Sequence, residues 1–304
     1  MEVQGALNLL FRSGLRSDFR DEFNEHETQY SQYLKVGSMD GPEIEATIIA
    51  GLRRLLEIGD GEPVTYEDIV LGPKVIGIDK EFGLGFTLTR KTVEDDQYNK
   101  ANQGAKWLAH ATQMTYEYRG GALLDDAFAG STFKGIDSLP LCDESHTSIG
   151  HPSSTTWANE PANAIGFSIA GINALLNLHE GTVDHNGDPV ITNPDTVIYN
   201  PSQITKAMQI FGSKLEPFTA DNQDNVIGMK RLAGVKQVVK RFVTSTTTYF
   251  LFDSKMNDAH FLLRRKADFK DEEDFDTGAA KFKTTTRFLI WFVDPRGWTG
   301  SNAS

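Results

Sequence analysis

The sequence contains a single cysteine, Cys142, among its 304 residues. An internal disulfide framework is therefore excluded, and this cysteine usage is typical of a reducing compartment. No apolar run approaches the roughly 20 residues that span a bilayer, and residues 1–5 do not have the composition of a signal peptide. These absences predict a globular chain that folds in a cytoplasm and has no membrane partner.

Basic residues are also scarce. The sequence contains 30 lysines and arginines and 42 aspartates and glutamates, which gives a net charge of -12. Tight binding to nucleic acid irrespective of sequence needs clustered basic side chains that displace counterions, so we expect DNA only as a loose neighbour. The densest basic set comprises Lys230, Arg231, Lys236, Lys240 and Arg241. We interpret this set first as a solvated face, second as an interface with acidic loops of a neighbour, and third as a DNA contact.

Motifs that carry catalytic or metal chemistry are almost absent. Cys142, His146 and His151 have spacings that suit a zinc site, or a thiol nucleophile with an imidazole base. No clear fourth metal ligand lies nearby, and no protease signature surrounds the cysteine. A hydrolase that uses Cys142 with His146 or His151 is therefore kept as an alternative hypothesis. The prediction is that the chain has no catalytic, cofactor-binding or metal-binding residues and is not an enzyme.

Three further motifs are incomplete. Asp221, Gln223 and Asn225 imitate the start of a calcium loop, but Val226 stands where the sharp turn needs glycine. Residues 83–86 contain two glycines but lack the third glycine and the helix start of a dinucleotide-binding loop. No glycine-rich phosphate loop that ends in Lys-Ser or Lys-Thr occurs in the sequence. We therefore predict that the chain binds no cofactor.

One long segment is unusual for an enzyme domain. Residues 42–96 form an acidic, glycine-punctuated excursion, most simply a β-hairpin, which is followed directly by a long helix. The apolar residues of this segment are scattered between glycines and carboxylates, so alone it buries too little surface to offset its ordering entropy. We expect a surface outside the monomer to hold the hairpin in place.

The N-terminal region has the pattern of an amphipathic helix. Phe11, Leu15, Phe19 and Phe23 recur every four residues, which places them on one helical face. Two interpretations remain open: a helix packed on its own domain, or an arm that docks on a neighbouring subunit. The second is favoured by residues 37–42, whose glycine and proline content predicts a flexible joint.

The remaining pattern predicts an α+β fold. A helix capped by Thr92 or Asp95 is expected to run to about residue 119, where Gly120 and Gly121 break or kink it. The other expected elements are helices at 165–178 and 203–211, strands at 196–199, 241–253 and 287–293, a surface loop at 131–162, and a solvated acidic loop at 268–276.

Four local motifs occur in an order that is typical of one family. They are the segments 83–90 with 93–96, 123–128, 139–146, and 294–297 with Ser301. In this order they resemble the major capsid proteins of tailed bacteriophages, and in particular the Mu-like major head subunits. The pattern Leu-Cys-x-x-x-His resembles a loop of that family, which accounts for Cys142 and His146 without metal or catalysis. Asp125 and Asp126 stand where an asparagine is more usual in the family.

This resemblance implies a fold with an N-terminal arm, an extended loop (E-loop), a peripheral (P) domain and an axial (A) domain. The implied boundaries are an N-arm at 1–41, an E-loop at 42–90, a P-domain at 91–137 whose spine helix spans about 92–119, an A-domain at 138–250, and returning P-domain strands at 251–304. Some relatives join an E-loop lysine covalently to a neighbour. Lys74 and Lys80 are available here, but their presence alone predicts no cross-link.

The function implied by the resemblance is structural. The chain would self-assemble as hexamers and pentamers into an icosahedral shell around double-stranded DNA, in the cytoplasm of a bacterial host, and remain in the virion capsid. The implied partners are other copies of itself, scaffold and portal proteins, and packaged DNA by loose, non-specific proximity. Besides the hydrolase, a virion decoration or binding module remains an alternative.

Overall fold

The computed structural model of the chain describes residues 2–52, 54–89, 91–92, 100–148, 156–215, 224–274 and 277–303, with the backbone alone for residues 2–13, 229 and 230. The helices are α1 (Glu2–Glu25), α2 (Lys100–Asp125), α3 (Ile169–Glu180) and α4 (Ile204–Gly212). The strands are β1 (Lys35–Ser38), β2 (Glu43–Ala50), β3 (Val70–Ile78), β4 (Lys80–Leu88), β5 (His146–Thr147), β6 (Thr156–Trp157), β7 (Thr196–Tyr199), β8 (Lys236–Val239), β9 (Tyr249–Phe252), β10 (Ala259–Glu273), β11 (Ala280–Phe292) and β12 (Trp298–Ser301).

Four strands form the large sheet in the order β1-β10-β11-β4. β11 lies between β10 and β4, which confirms the predicted strand around residues 287–293, although beyond Phe288 it is bonded to β10 alone. β10 continues to Glu273 through a region that the sequence predicted to be a solvated acidic loop. That prediction was wrong because strand pairing continues as far as Glu273 opposite Ala280, while Phe269 turns into the core.

α1 packs along α2 and the large sheet. Leu15 and Phe19 are buried in one cluster with Phe269 and Phe282. Of the two interpretations of this helix, packing on its own domain therefore holds for the described side chains, which do not include that of Phe11. The part of α1 whose side chains are described therefore belongs to the monomer's core.

The predicted flexible joint at residues 37–42 begins as a strand. β1 pairs in parallel with β10, and the Met39 N–H donates to the Leu263 carbonyl (3.2 Å). The Met39 side chain is also buried. The prediction of a joint was wrong here because hydrogen bonds to the neighbouring strand hold the backbone in the sheet.

α2, the spine helix, remains helical through Gly120 and Gly121 to Asp125. A Cβ atom on Gly121 would lie 1.9 Å from the carbonyl oxygen of Phe242, and one on Gly120 would lie 2.7 Å from the Tyr33 hydroxyl. The predicted break was wrong because these glycines allow close packing instead of ending the helix. Of the two predicted caps, Thr92 lies within a helical segment, and Asp95 lies outside the described residues.

Four further strands form the small sheet in the order β12-β9-β7-β8. α3 and α4 cover it, with Leu175 and Ile210 in one buried cluster with Val197 and Leu251. β7 confirms the predicted strand at 196–199, and the two predicted helices of this region are present. The predicted strand at 241–253 is shorter than expected, since only β9 is extended.

β2 and β3 pair with each other in a separate two-stranded sheet. We call residues 43–78 the hairpin and the connecting residues 51–69, which contain no helix or strand among those described, the tip. The sequence predicted a hairpin that extends to residue 96, but β4 pairs with β11 in the large sheet. Its Phe82 and Phe86 rings stack on Phe288 and Phe282, which explains why β4 belongs to the core.

Candidate intersubunit surface

One face of the hairpin packs on its own subunit. Residues alternate along β2, so that Ile44, Ala46 and Ile48 turn toward the large sheet while their neighbours face solvent. They contact a cluster that includes Trp291. Gly77 on β3 lies so close that a Cβ atom there would be 2.6 Å from Leu289. The strands of the hairpin are therefore fixed by ordinary core packing.

A buried ion cluster clamps the root of the hairpin. The Asp79 carboxylate, whose side chain is only 1% exposed, lies 2.7 Å from Arg287 Nε and accepts a hydrogen bond from Arg264 Nη1 (3.2 Å). The Asp79 N–H donates to the Pro42 carbonyl (3.2 Å) at the other end of the hairpin. Two guanidinium groups on one buried carboxylate make a rigid attachment.

The tip is different, because its large apolar side chains face solvent. Leu55 is fully exposed and Tyr66 is 91% exposed. The hairpin contains more than half of the large apolar side chains that are exposed in the described residues. Besides Leu55 and Tyr66, the exposed large apolar residues of the hairpin are Ile49, Leu52, Leu56, Ile58, Val64, Ile69, Leu71, Ile76 and Ile78. A concentration of this kind is typical of a surface that binds another protein.

Carboxylates alternate with these apolar residues along the sequence of the tip. The tip carries five acidic residues and two arginines in its sequence. Glu62 also shapes the tip, since its carboxylate accepts the Gly59 N–H (3.1 Å). At the base of the hairpin, Lys74 donates to Glu45 across the two strands (2.8 Å), and this bond raises the lysine's pKa. An apolar surface with an acidic rim suits a protein partner and repels DNA.

The candidate thiol site has no catalytic geometry in the described residues. Cys142 is fully buried, and burial raises the pKa of its thiol well above the usual value, with Glu160 and Asp143 acting in the same direction. Reactive cysteines need the opposite, an accessible thiolate. His146 Nδ1 lies 2.6 Å from an Asp137 carboxylate oxygen and Nε2 lies 3.1 Å from the Asn159 side-chain oxygen, so both ring nitrogens are occupied. The remaining predicted base, His151, lies outside the described residues.

The candidate metal sites receive no support from the part of the chain that the structure describes, which contains no group of three or more His, Cys, Asp or Glu side chains able to hold a metal ion. Asn225, from the calcium-like motif, is buried and donates to the carbonyls of Ile210 and Ser213. It therefore braces a loop. Asp221 and Gln223 lie outside the described residues.

The basic set is not a single solvated face. The Lys240 side chain is 1% exposed, lies 3.0 Å from Glu117 and sits 4.5 Å from the centre of the Tyr33 ring. Burial lowers the pKa of Lys240, and Glu117 opposes that shift. The first interpretation is therefore wrong for Lys240, because its charge is neutralised inside the protein. Arg231 pairs with Glu180 at the surface.

The segment 131–162 was predicted to be a surface loop, and that prediction was wrong for much of its described part. Leu141, Cys142 and His146 are buried. Buried backbone here is satisfied by side chains: Asp126 accepts the N–H groups of residues 131–133, and Asn159 donates to the Leu141 carbonyl (2.8 Å). Bonds from single polar side chains leave no periodic pattern in a sequence.

Sequence reasoning also missed two sets of residues that hold the hairpin. The root clamp uses Asp79, Arg264 and Arg287, which are far apart in the chain. The second set is the turn at residues 184–188, whose Asn186 donates to the Gly51 carbonyl in the tip (3.0 Å). The only local signal for the clamp is the acidic residue Asp79 within the predicted hairpin. The turn at residues 184–188 carries no local signal of its contact with the tip.

A family model described as phage capsid protein matches residues 74–300. This match covers most of the chain, from β3 through both sheets and the spine helix. The chain belongs to the phage capsid protein family. No curated protein matches the sequence of this capsid protein.

Solved structures share the fold of the capsid protein. The capsid of cyanophage P-SCSP1u gives a TM-score of 0.59 at 12% identity, over 91% of this chain and 88% of that chain. A virus-like particle from Pyrococcus furiosus gives 0.57 at 12% identity, over 96% and 99%. The procapsid of bacteriophage JBD30 gives 0.55 at 14% identity, over 98% and 76%. The predicted α+β fold of tailed-phage capsid proteins is confirmed.

The capsid protein is a structural subunit of a phage head, as its motifs predicted, and its place is the virion capsid. The Mu-like subgroup stays a prediction, because the family match does not separate that group from others. Each helix in the described ranges is too short or too polar to cross a membrane.

Proposed function

We propose that the capsid protein is the major shell subunit of its particle, and that hexamers and pentamers close into an icosahedral head around double-stranded DNA. The observation that carries this proposal is the tip: apolar, rimmed by carboxylates, and held at the end of a hairpin with a clamped root. A monomer gains nothing from exposing Leu55 and Tyr66, whereas a second copy that covers them removes apolar surface from water.

We assign the hairpin as the E-loop, the large sheet with the spine helix as the P-domain, and the small sheet with α3 and α4 as the A-domain. The N-arm is then α1 and the chain up to residue 41. The clamp at Asp79 supports a boundary of the E-loop near residue 78, because the chain beyond it pairs in the large sheet. On this assignment, β4 belongs to the P-domain.

The proposed role is structural, with no catalytic step. The buried thiol of Cys142 and the two occupied nitrogens of His146 support it. The net charge of -12 supports packaged DNA as a loose neighbour and not as a tightly bound ligand. Scaffold and portal proteins are further proposed partners, and the host cytoplasm is the proposed place of assembly.

The test is to express the chain with and without a co-expressed scaffold, and to examine it by sedimentation velocity and electron microscopy. We expect closed particles, formed by the chain itself. A species that stays monomeric across salt and scaffold conditions would contradict the proposal. Binding to preformed shells without shell formation would instead indicate a decoration module, and thiol-dependent hydrolysis that a Cys142→Ser variant abolishes would indicate the enzyme.

A further inference from the structure

The first residues of the tip contact a turn in the same subunit. Asn186 Nδ2 donates to the carbonyl oxygens of Gly51 (3.0 Å) and Leu52 (3.3 Å). Arg54 Nε lies 2.9 Å from a carboxylate oxygen of Asp188. These three contacts, which we call the clasp, join residues more than 130 positions apart in the chain. They lie beyond the point where the strands of the hairpin pack on the large sheet.

The turn that carries the clasp is itself well ordered by local chemistry. The Asp184 carboxylate accepts the N–H groups of Asn186 and Asp188, each at 2.8 Å. Gly187 has φ +86°, a conformation that favours glycine. Beneath the turn, Arg296 Nε donates to the Val183 carbonyl (2.6 Å). The turn therefore presents the Asn186 amide and the Asp188 carboxylate in fixed directions.

We infer that Asn186 and Asp188 are positioning residues for the hairpin. They set the direction in which the tip leaves the subunit, and so present Leu55 and Tyr66 for contact with a second copy. This inference rests on the proposed function, because the direction of the tip matters only if the tip binds a neighbour.

The physical reason is preorganisation. The described residues of the tip form no helix or strand, so without the clasp the tip samples more directions and loses that freedom when a neighbour covers it. The clasp removes part of this loss before assembly. Hydrogen bonds and a partly exposed ion pair are individually weak, so the tip retains the ability to adjust to different curvatures of a shell.

The first experiment uses unassembled subunits, at concentrations below the assembly threshold. A glutamate-specific protease is added, since its site at Glu57 lies in the tip. In the Asn186→Ala, Asp188→Ala variant, we expect cleavage roughly tenfold faster than in the wild type. The reason is that the tip can open locally without first breaking the clasp contacts. The melting temperature should not change.

Two controls make this result specific. Lys74→Gln breaks the ion pair with Glu45 within the hairpin without removing a glutamate, and it should leave cleavage at the wild-type rate. Arg54→Asp with Asp188→Arg reverses the clasp charges and should keep cleavage slow, whereas Asp188→Arg alone should accelerate it. Equal cleavage of the wild type and the double alanine variant would overturn the inference.

The second experiment measures the threshold concentration for shell formation. The double alanine variant should need roughly threefold more subunit, because the tip is ordered only on assembly. Gly51→Cys with Asn186→Cys tests a covalent lock of the clasp, because a Cβ atom at residue 51 would lie 3.9 Å from the Asn186 amide nitrogen; loss of free thiol on oxidation shows that the bond has formed. The natural Cys142 is buried and does not compete.

The oxidised, locked variant should assemble at or below the wild-type threshold. If locking abolishes assembly and a reductant restores it, the clasp opens in the shell and the inference is wrong. If even the wild type forms no shells, the proposed function fails, while the protease result still decides whether the clasp directs the tip.

Discussion

The spine helix and the hairpin tip differ in how far their side chains are buried within the subunit. Around the spine helix, even charges are enclosed: Lys240 and Glu117 are 1% and 2% exposed and neutralise each other. In the tip, the Arg54 side chain of the clasp is 84% exposed, and the apolar Leu55 and Tyr66 face solvent. The comparison separates the residues that stabilise the monomer from the exposed residues that we propose build the shell.

The difference has a simple cause in packing. Tyr116 of the spine helix contacts the rings of Tyr30, Phe261 and Phe288 at centroid distances from 5.0 to 6.1 Å, and its hydroxyl pairs with Thr286. The face of the spine helix that carries Tyr116 therefore completes its packing within the chain. The tip leaves its apolar surface for another molecule to cover.

The largest effect on monomer stability is expected at the buried ion pair. Lys240→Ala leaves the Glu117 carboxylate buried without its partner, which should lower the free energy of unfolding by about 3–5 kcal/mol. Urea denaturation measures this change. Lys236→Ala, at an exposed lysine nearby, is the matched control and should change little. A loss below about 1 kcal/mol for Lys240→Ala would contradict this expectation, because the buried Lys240–Glu117 pair would then contribute no more than an exposed surface ion pair.

A pH-dependent effect is expected at His179, which is fully buried in α3. Burial lowers its pKa from 6.5 to about 4, against the opposing influence of Asp253 and Glu180. Between pH 4 and pH 6.5, the imidazole of His179 therefore binds a proton in the unfolded chain but not in the folded protein. Stability from this group is complete above pH 6.5 and falls by about 3 kcal/mol as the pH drops to about 4.

Urea unfolding between pH 4 and pH 7 measures this slope, and His179→Leu is the variant that removes it. Glu160 contributes with the opposite sign, because burial and the nearby Glu144 and Asp143 raise its pKa to about 7. Its protonated form therefore favours the folded state as the pH falls. An unchanged pH slope in His179→Leu would show that the imidazole is not the group responsible.

A smaller effect is expected where the spine helix approaches the backbone of residue 242. Gly121→Ala places a methyl group 1.9 Å from the Phe242 carbonyl oxygen, and the required shift should destabilise the monomer by about 1–3 kcal/mol. Gly212→Ala is the control, since no atom lies within 4 Å of its Cβ position. Thermal unfolding of both variants compares them. Equal melting temperatures would mean that the helix can move away from residue 242 without cost.

The parts of the fold that the sequence predicted are those with local patterns. The spine helix follows from its 3.6-residue periodicity, β11 from its continuous apolar run, and the hairpin from its glycines and acidic composition. β10 escaped prediction because its charged end is a strand only through pairing with β11. The helical Gly120 and Gly121 escaped it because their reason, the approach of Tyr33 and Phe242, lies elsewhere in the chain.

The candidate surface was predicted to a similar extent. The acidic hairpin at 42–96 indicated a segment that needs a partner, and the exposure of its tip agrees with that expectation. The end of the hairpin was predicted too late in the chain, because β4 has the same glycine-rich composition as the hairpin but pairs in the large sheet. The burial of Lys240 and the contact between Asn186 and Gly51 depend on residues distant in sequence, and no local pattern encodes such pairs.

The smallest effect on monomer stability, and the largest on assembly, is expected for Leu55→Ser with Tyr66→Ser. Both side chains are exposed, so the free energy of unfolding should change by no more than about 0.5 kcal/mol. Ile191→Ser is the matched control, at an apolar side chain that is 98% exposed outside the hairpin.

Sedimentation velocity of the three proteins under assembly conditions is the decisive measurement. We predict shells from the wild type and from Ile191→Ser, and only folded, unassembled subunits from the tip variant. Shells of normal size and yield from the tip variant would contradict the account, because the tip would then not be the surface through which subunits hold one another.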